Sequence, residues 1–293
     1  MVANQNLIGN LKTIGVLGAG QMGNGIAQVV AATGYDVILC DISDESLKKA
    51  VKTITTSLEK LASKNLITED LKTAALARIK TTTQLGDLKN VDVFIEAATE
   101  NIDLKIKIFK DVDALIKPEA YLFSNTSSIS ITKLAGATKR PQKVAGMHFM
   151  NPVPLMKLVE GIRGLQTTDE TFEVMKQLTE KLGKTFVPSV KDMPGFIVNR
   201  ILMPMINEAI YTLHEGIADV ESIDQAMKLG TNQPMGPLTL ADFIGLDTCL
   251  SIMHVLHDGL GDSKYRPCPL LAKYVEAGWL GKKSGRGFYN YGT

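Results

Sequence analysis

Gly18-Ala19-Gly20-Gln21-Met22-Gly23 stands between a short apolar run, Thr13 to Leu17, and a stretch from Gln21 to Thr33 in which Met22, Ile26, Val29 and Val30 recur at helical spacing. The order is strand, tight turn, helix. Gly34 closes the helix, and Tyr35 to Cys40 is a second β-branched run that ends at Asp41. These pieces make a βαβ unit, and strands without polar alternation imply a parallel sheet covered on both faces. In such a turn Gly18 allows the tight bend, Gly20 lets backbone approach a pyrophosphate, and Gly23 lets the helix pack closely on the strand. The helix N-terminus, at Gln21 and Met22, then turns its amides toward the phosphates. Asp41 lies 41 − 23 = 18 positions after the last glycine, close to the interval of about 20 at which an acid accepts the adenosine ribose hydroxyls. Ile42 to Glu45 hold no arginine to welcome a 2′-phosphate, which favours NAD over NADP. The bland alternative is that Asp41 caps the next helix.

Outward from this unit the pattern continues. Asp44 and Glu45 open a helical stretch to Lys64, and another begins at Thr68. Val91 to Ala97, Tyr121 to Ser124, Val144 to Met147 and Met156 to Glu160 read as strands. Helices are expected at Asp103 to Ile116, Ile129 to Gly136 and Glu170 to Leu182. Beyond Lys184 to Pro188 the strand signal disappears. Asn199 to Glu215, Val220 to Leu229, Thr239 to Gly259 and Pro269 to Ala277 read as helices punctuated by glycine and proline. The expected architecture is α/β: a Rossmann-like, mostly parallel sheet domain over 1–189, then a smaller all-helical domain over 190–293.

Composition removes several classes of function. With 32 basic and 31 acidic residues the net charge is +1, so no nucleic-acid footprint or polybasic membrane contact is indicated. No apolar run reaches the roughly 18 residues of a membrane span. Three cysteines, Cys40, Cys249 and Cys268, are widely spaced and form no metal-binding or disulfide pattern, so no metal is expected and a reducing, cytoplasmic compartment fits.

Three tracts can carry chemistry. His148 ends a strand and begins His148-Phe149-Met150-Asn151-Pro152-Val153-Pro154, after which the chain leads to Glu160. Oxidation of a secondary alcohol needs a base for the hydroxyl proton, and an imidazole held by a carboxylate meets that need. A structurally hydrogen-bonded histidine reads equally well from the residues alone. Ser124-Asn125-Thr126-Ser127-Ser128 follows a strand end, where open α/β sheets bind ligands, although Ser and Asn also suit plain turns. In Pro194-Gly195-Phe196-Ile197-Val198-Asn199-Arg200, Pro194 suits a first helical turn, and Asn199 is polar within an apolar stretch, a buried hydrogen-bond partner or a substrate contact. His214, His254 and His257 show no ligand spacing.

Together with EAATEN at Glu96 to Asn101, MGPLTLADFIGLD at Met235 to Asp247 and GKKSGRGFY at Gly281 to Tyr289, these tracts resemble the L-3-hydroxyacyl-CoA dehydrogenase family, particularly its short-chain bacterial members. The likeness covers almost the whole chain. It implies that His148 is the general base in oxidation and acid in reduction, with Glu160 holding its imidazole. It implies that Ser127 and Asn199 orient substrate oxygens at an interdomain cleft. Glu100, Lys105, Ser127, Asn151 and Lys283 match cofactor-contacting positions, and Ser57, Lys64 and Ser127 match coenzyme A contacts, with Lys60 one helical turn from Lys64 as a substitute. The family likeness also implies an acyl-CoA thioester as substrate and a homodimer through the helical domain. Arg286 departs from an acid common in animal relatives, which touches only the C-terminal contacts.

The resulting expectation is reversible NAD-linked interconversion of a short-chain (3S)-3-hydroxyacyl-CoA and its 3-oxoacyl-CoA, acetoacetyl-CoA being the reductive substrate. Three alternatives stand beside it: a dehydrogenase of free hydroxy acids that uses a helix lysine, a dinucleotide-binding structural or sensor protein on the same fold, and a separate subunit of a larger fatty-acid oxidation complex.

Overall fold

The computed structural model describes residues 6–292. The chain divides into two compact units between Asp192 and Met193. In the first, chain order runs β1 (Thr13–Leu17), α1 (Gln21–Ala32), β2 (Asp36–Cys40), α2 (Asp44–Ser63), α3 (Glu69–Ala77), β3 (Ile79–Thr82), β4 (Val93–Glu96) and α4 (Ile102–Leu115). It continues through β5 (Tyr121–Ser124), α5 (Ile131–Ala135), β6 (Val144–Phe149), β7 (Leu158–Ile162), α6 (Asp169–Lys181) and β8 (Thr185–Ser189). The sheet order is β3-β2-β1-β4-β5-β6-β7-β8. Every neighbour pair is parallel except β6 with β7. The order reverses between β1 and β4, and a crevice beyond the strand ends at such a switch point is where open α/β sheets take ligands.

The apolar runs are a sound guide because β4, β5 and β6 are buried along their length and β1 is buried through its centre. Ile14, Val16, Ile26, Val30, Leu39 and Ile95 lie at or near zero exposure in one core, and each such side chain contributes roughly 1.5–3 kcal/mol by leaving water. Two strands escape the sequence reading. β3 and β8 are the sheet edges, only partly buried, and carry Lys80 and Pro188 where a central strand would carry apolar residues. Helices α2, α3, α4 and α6 start on side-chain caps: Ser43, Thr68, Asn101 and Thr168 each accept an amide of the first turn.

The second unit is helical: α7 (Val198–His214), α8 (Val220–Gly230), α9 (Pro237–Ile244), α10 (Leu246–Leu260) and α11 (Pro269–Glu276). Pro194 precedes α7 rather than opening it. The single helix expected over Thr239 to Gly259 is two helices, α9 and α10, bent by 97°. Gly245 makes the bend with φ +102°, a conformation that side-chain-bearing residues rarely adopt. Met203, Ile206, Leu238, Leu246 and Leu256 form this unit's own core. No single helix among the described residues is long and apolar enough to cross a membrane.

Candidate active site

The glycine turn fits a pyrophosphate for steric reasons that can be read residue by residue. Gly18 has φ +102°, and a Cβ there would lie 2.5 Å from the carbonyl oxygen of Ala97. A Cβ on Gly23 would lie 1.7 Å from the carbonyl oxygen of Gly18, so α1 packs on the turn only with glycine. At Gly20 a Cβ would meet nothing within 4 Å; its side is open, and bare backbone is what a phosphate can approach. Asp41, just past β2, accepts the amides of Ala19 at 2.7 Å and Ser43 at 2.9 Å. It therefore ties the glycine turn to the strand end, and each oxygen keeps capacity to accept a further donor.

His148 and Glu160 sit directly opposite each other in the antiparallel β6–β7 ladder. His148 is 7% exposed and Glu160 fully buried, and Nδ1 lies 2.7 Å from Oε2. A carboxylate at that distance accepts a hydrogen bond from Nδ1–H, which selects the tautomer whose Nε2 carries the lone pair.

Beside them, the ends of β4 and β5 build a polar network. Lys105 on α4, 1% exposed, donates from Nζ to Glu96 Oε1 at 2.5 Å and to the carbonyl of Ala98 at 3.1 Å. The same ammonium lies 3.3 Å from Glu100 Oε2. The ammonium thus has two hydrogen-bond acceptors and a second carboxylate as ion partner. Ser124 donates to Glu96 Oε2 at 2.6 Å. Glu100 Oε1 collects the loop after β5: Thr126 Oγ1 at 2.5 Å, the amide of Ser127 at 3.0 Å, and the amide and hydroxyl of Ser128 at 3.1 and 2.9 Å. Burial alone would raise the Glu100 carboxyl, but the Lys105 ammonium and the donors of Thr126, Ser128 and Ser127 together hold it below the ordinary value. Asn125 Oδ1 accepts the amide of Phe149 at 2.9 Å, fastening this loop to the residue after His148.

Two adjoining cavities lie along α2. One, of about 480 Å³, is lined by Gly20 and Gln21 of the turn, by Ser57, and by Asn151 to Pro154 of the loop after β6. The other, of about 660 Å³, is lined by Lys49, Lys52, Ser57, Lys60, Lys64 and Leu155 among others. Both Lys60 and Lys64 line the second cavity, so the two lysines between which the sequence left a choice share one site.

In the second unit Asn199 is buried in the first turn of α7, and Lys283 donates to Asp247 Oδ2 at 2.7 Å. Glu96 was missed as the partner of Lys105, although a carboxylate ending the apolar run Val91 to Ala97 is a visible anomaly. Among the described residues no group of His, Cys, Asp or Glu could hold a metal ion.

A glycine turn at the switch point of a parallel sheet, an acid at the end of β2 and a buried imidazole paired with a carboxylate on adjoining strands are the features of a Rossmann-type dehydrogenase. Residues 13–193 match the 3-hydroxyacyl-CoA dehydrogenase NAD binding domain, and residues 195–291 match the C-terminal domain of the same enzymes. The chain belongs to the 3-hydroxyacyl-CoA dehydrogenase family. It is 62% identical to a 3-hydroxybutyryl-CoA dehydrogenase of Bradyrhizobium diazoefficiens, with 96% of each chain covered. It is 44% identical to the human mitochondrial hydroxyacyl-coenzyme A dehydrogenase, covering 96% of this chain and 91% of that one. The crystal structure of (S)-3-hydroxybutyryl-CoA dehydrogenase from Ralstonia eutropha superposes with a TM-score of 0.94 at 54% identity, covering 97% of this chain and all of that one.

Proposed function

We propose that this protein interconverts (3S)-3-hydroxybutyryl-CoA and acetoacetyl-CoA with NAD, His148 serving as general base in oxidation and general acid in reduction. The observation that carries the reading is the buried His148–Glu160 pair at 2.7 Å. Glu160 fixes the ring, keeps the proton on Nδ1 and stabilises the imidazolium that forms when Nε2 takes the hydroxyl proton. The chemistry a nicotinamide dinucleotide would supply when held there is hydride transfer. Glu100 orders the loop that presents Ser127, and Ser127 with Asn199 orients the substrate oxygens. Gly18, Gly20, Gln21, Met22, Gly23, Asp41, Asn151 and Lys283 hold the dinucleotide, with Asp41 selecting against a 2′-phosphate.

The lysines support a coenzyme A substrate. Lys49, Lys52, Lys60 and Lys64 line one cavity with Ser57; along α2 and its C-cap Lys64 they recur near helical multiples, so one face offers several cations to anionic phosphates. Exposed Ile201, Ile217 and Leu229 in the helical unit support a homodimer through that domain, with twice the 31.8 kDa chain mass in solution. Three free cysteines support a reducing compartment, the cytoplasm.

The test is loss of NADH absorbance with acetoacetyl-CoA for wild type and His148→Ala, with NADH binding measured in both. Turnover by wild type and binding without turnover by the variant support the reaction and the base together. A wild type that binds NADH and ignores the thioester sinks the substrate assignment.

A further inference from the structure

The loop Met150 to Lys157 joins β6 to β7, the strands that present His148 and Glu160, and contributes wall to both cavities. Pro152 and Pro154 have no N–H to give. Inside the loop, the amides of Leu155 and Met156 both donate to the carbonyl of Pro152 at 3.0 Å. Val153 seats on α1, where a Cβ added to Gly25 would lie 2.8 Å from the Val153 Cβ. The other anchor is Lys184, between α6 and β8 and 8% exposed. Its Nζ donates to the carbonyls of Val153 at 2.6 Å and Met156 at 2.8 Å. A buried ammonium held by carbonyl dipoles costs more than an apolar side chain filling the same space. Burial, with the neighbouring Lys157, pushes this ammonium below the ordinary lysine range.

We propose that Lys184 is a positioning residue: its ammonium clamps the Val153 and Met156 carbonyls and so sets the shared wall of the two cavities that receive the dinucleotide and the coenzyme A moiety. This rests on the functional reading above. The His148–Glu160 pair is held by the strand ladder, with Met147 opposite Gly161 and Phe149 opposite Val159 on either side. Losing the clamp therefore weakens binding of both ligands and spares the chemical step.

Lys184→Met keeps most of the stem and removes the donors. The readings are kcat, KM for NADH and for acetoacetyl-CoA, and hydrogen exchange at the amides of Leu155 and Met156. Both KM values are expected to rise about tenfold, the equivalent of two lost hydrogen bonds from a charged group acting at partial strength, with kcat unchanged. Exchange at the two amides speeds up while β6 amides keep their rates, and Lys184→Arg recovers part of the loss. A folded Lys184→Met with unchanged KM for both substrates, or with a fallen kcat alone, overturns the proposal. Should that variant not fold, Lys184→Leu, which also has no donor, carries the same readings, and unchanged KM values there overturn it equally. If wild type ignores acetoacetyl-CoA, the functional reading fails instead, and NADH affinity with amide exchange in the variants still decides the clamp.

Discussion

His148 and Glu160 are a cross-strand pair, opposed in register across the one antiparallel step of an otherwise parallel sheet, with Nδ1 and Oε2 2.7 Å apart. Because both side chains are buried, the carboxylate interacts with the ring through little solvent, where charge stabilisation is strongest. Glu160→Gln preserves the shape and an acceptor for Nδ1–H but removes the charge that stabilises imidazolium. We expect kcat to fall about a hundredfold, at the low end of what a positioned acid-base group contributes, with the NADH dissociation constant unchanged. A kcat near wild type would show that the pair only packs.

The Asp41 carboxylate accepts the amides of Ala19 and Ser43, and the proposed function gives it a second duty, accepting the ribose hydroxyls. Asp41→Ala removes both. KM for NADH should rise at least about tenfold, as expected for loss of charge-assisted hydrogen bonds, and the preference for NADH over NADPH should shrink. If wild type already shows the higher kcat/KM with NADPH, the assigned role of Asp41 is wrong.

The glycine turn and Asp41 were legible because their spacing along the chain maps directly onto one βαβ unit. The α/β architecture followed for the same reason: buried parallel strands are apolar throughout. What stayed hidden depends on contacts between distant elements. The reversal that sets Glu160 opposite His148 leaves no periodic mark, and the pairing came from family likeness rather than from the residues. The edge strands β3 and β8 are too polar to stand out, and the break at Gly245 lies inside an apolar stretch that reads as one helix. Lys184 looks like any surface lysine until β8 brings it beneath the loop after β6.

Glu100 and the loop it gathers set an acid limit. Its carboxyl is held below the ordinary glutamate value of 4.5, so the stabilisation is fully present above that pH and is lost as pH falls through the lower, folded value. Glu100→Gln cannot accept with a full charge at any pH. The difference in Tm between wild type and this variant should therefore be constant near neutrality and narrow as pH drops below 4.5. A difference that is flat down to the acid transition would mean that Glu100 is not ionised in the role assigned to it.

Asp242 is the centre of a clasp in the helical unit. It is 1% exposed and accepts the amides of Phe288 and Tyr289, both at 2.9 Å, and the hydroxyl of Tyr291 at 3.0 Å. Burial raises its carboxyl above the ordinary value despite those donors, so the charge is expensive and every donor matters. A Cβ on Gly287 would lie 1.9 Å from Asp242 Oδ1, and the segment cannot close on the carboxylate with anything larger. Gly287→Ala should cost about 3 kcal/mol, the price of leaving a buried charged acceptor under-satisfied. The chain's single tryptophan, Trp279, reports on the same segment because the Arg286 guanidinium stacks 3.6 Å from its ring centroid. Its emission should shift in Gly287→Ala before global unfolding, as denaturant releases the C-terminal segment first. Coincident loss of tryptophan signal and helicity at the wild-type midpoint would show that the clasp contributes nothing of its own.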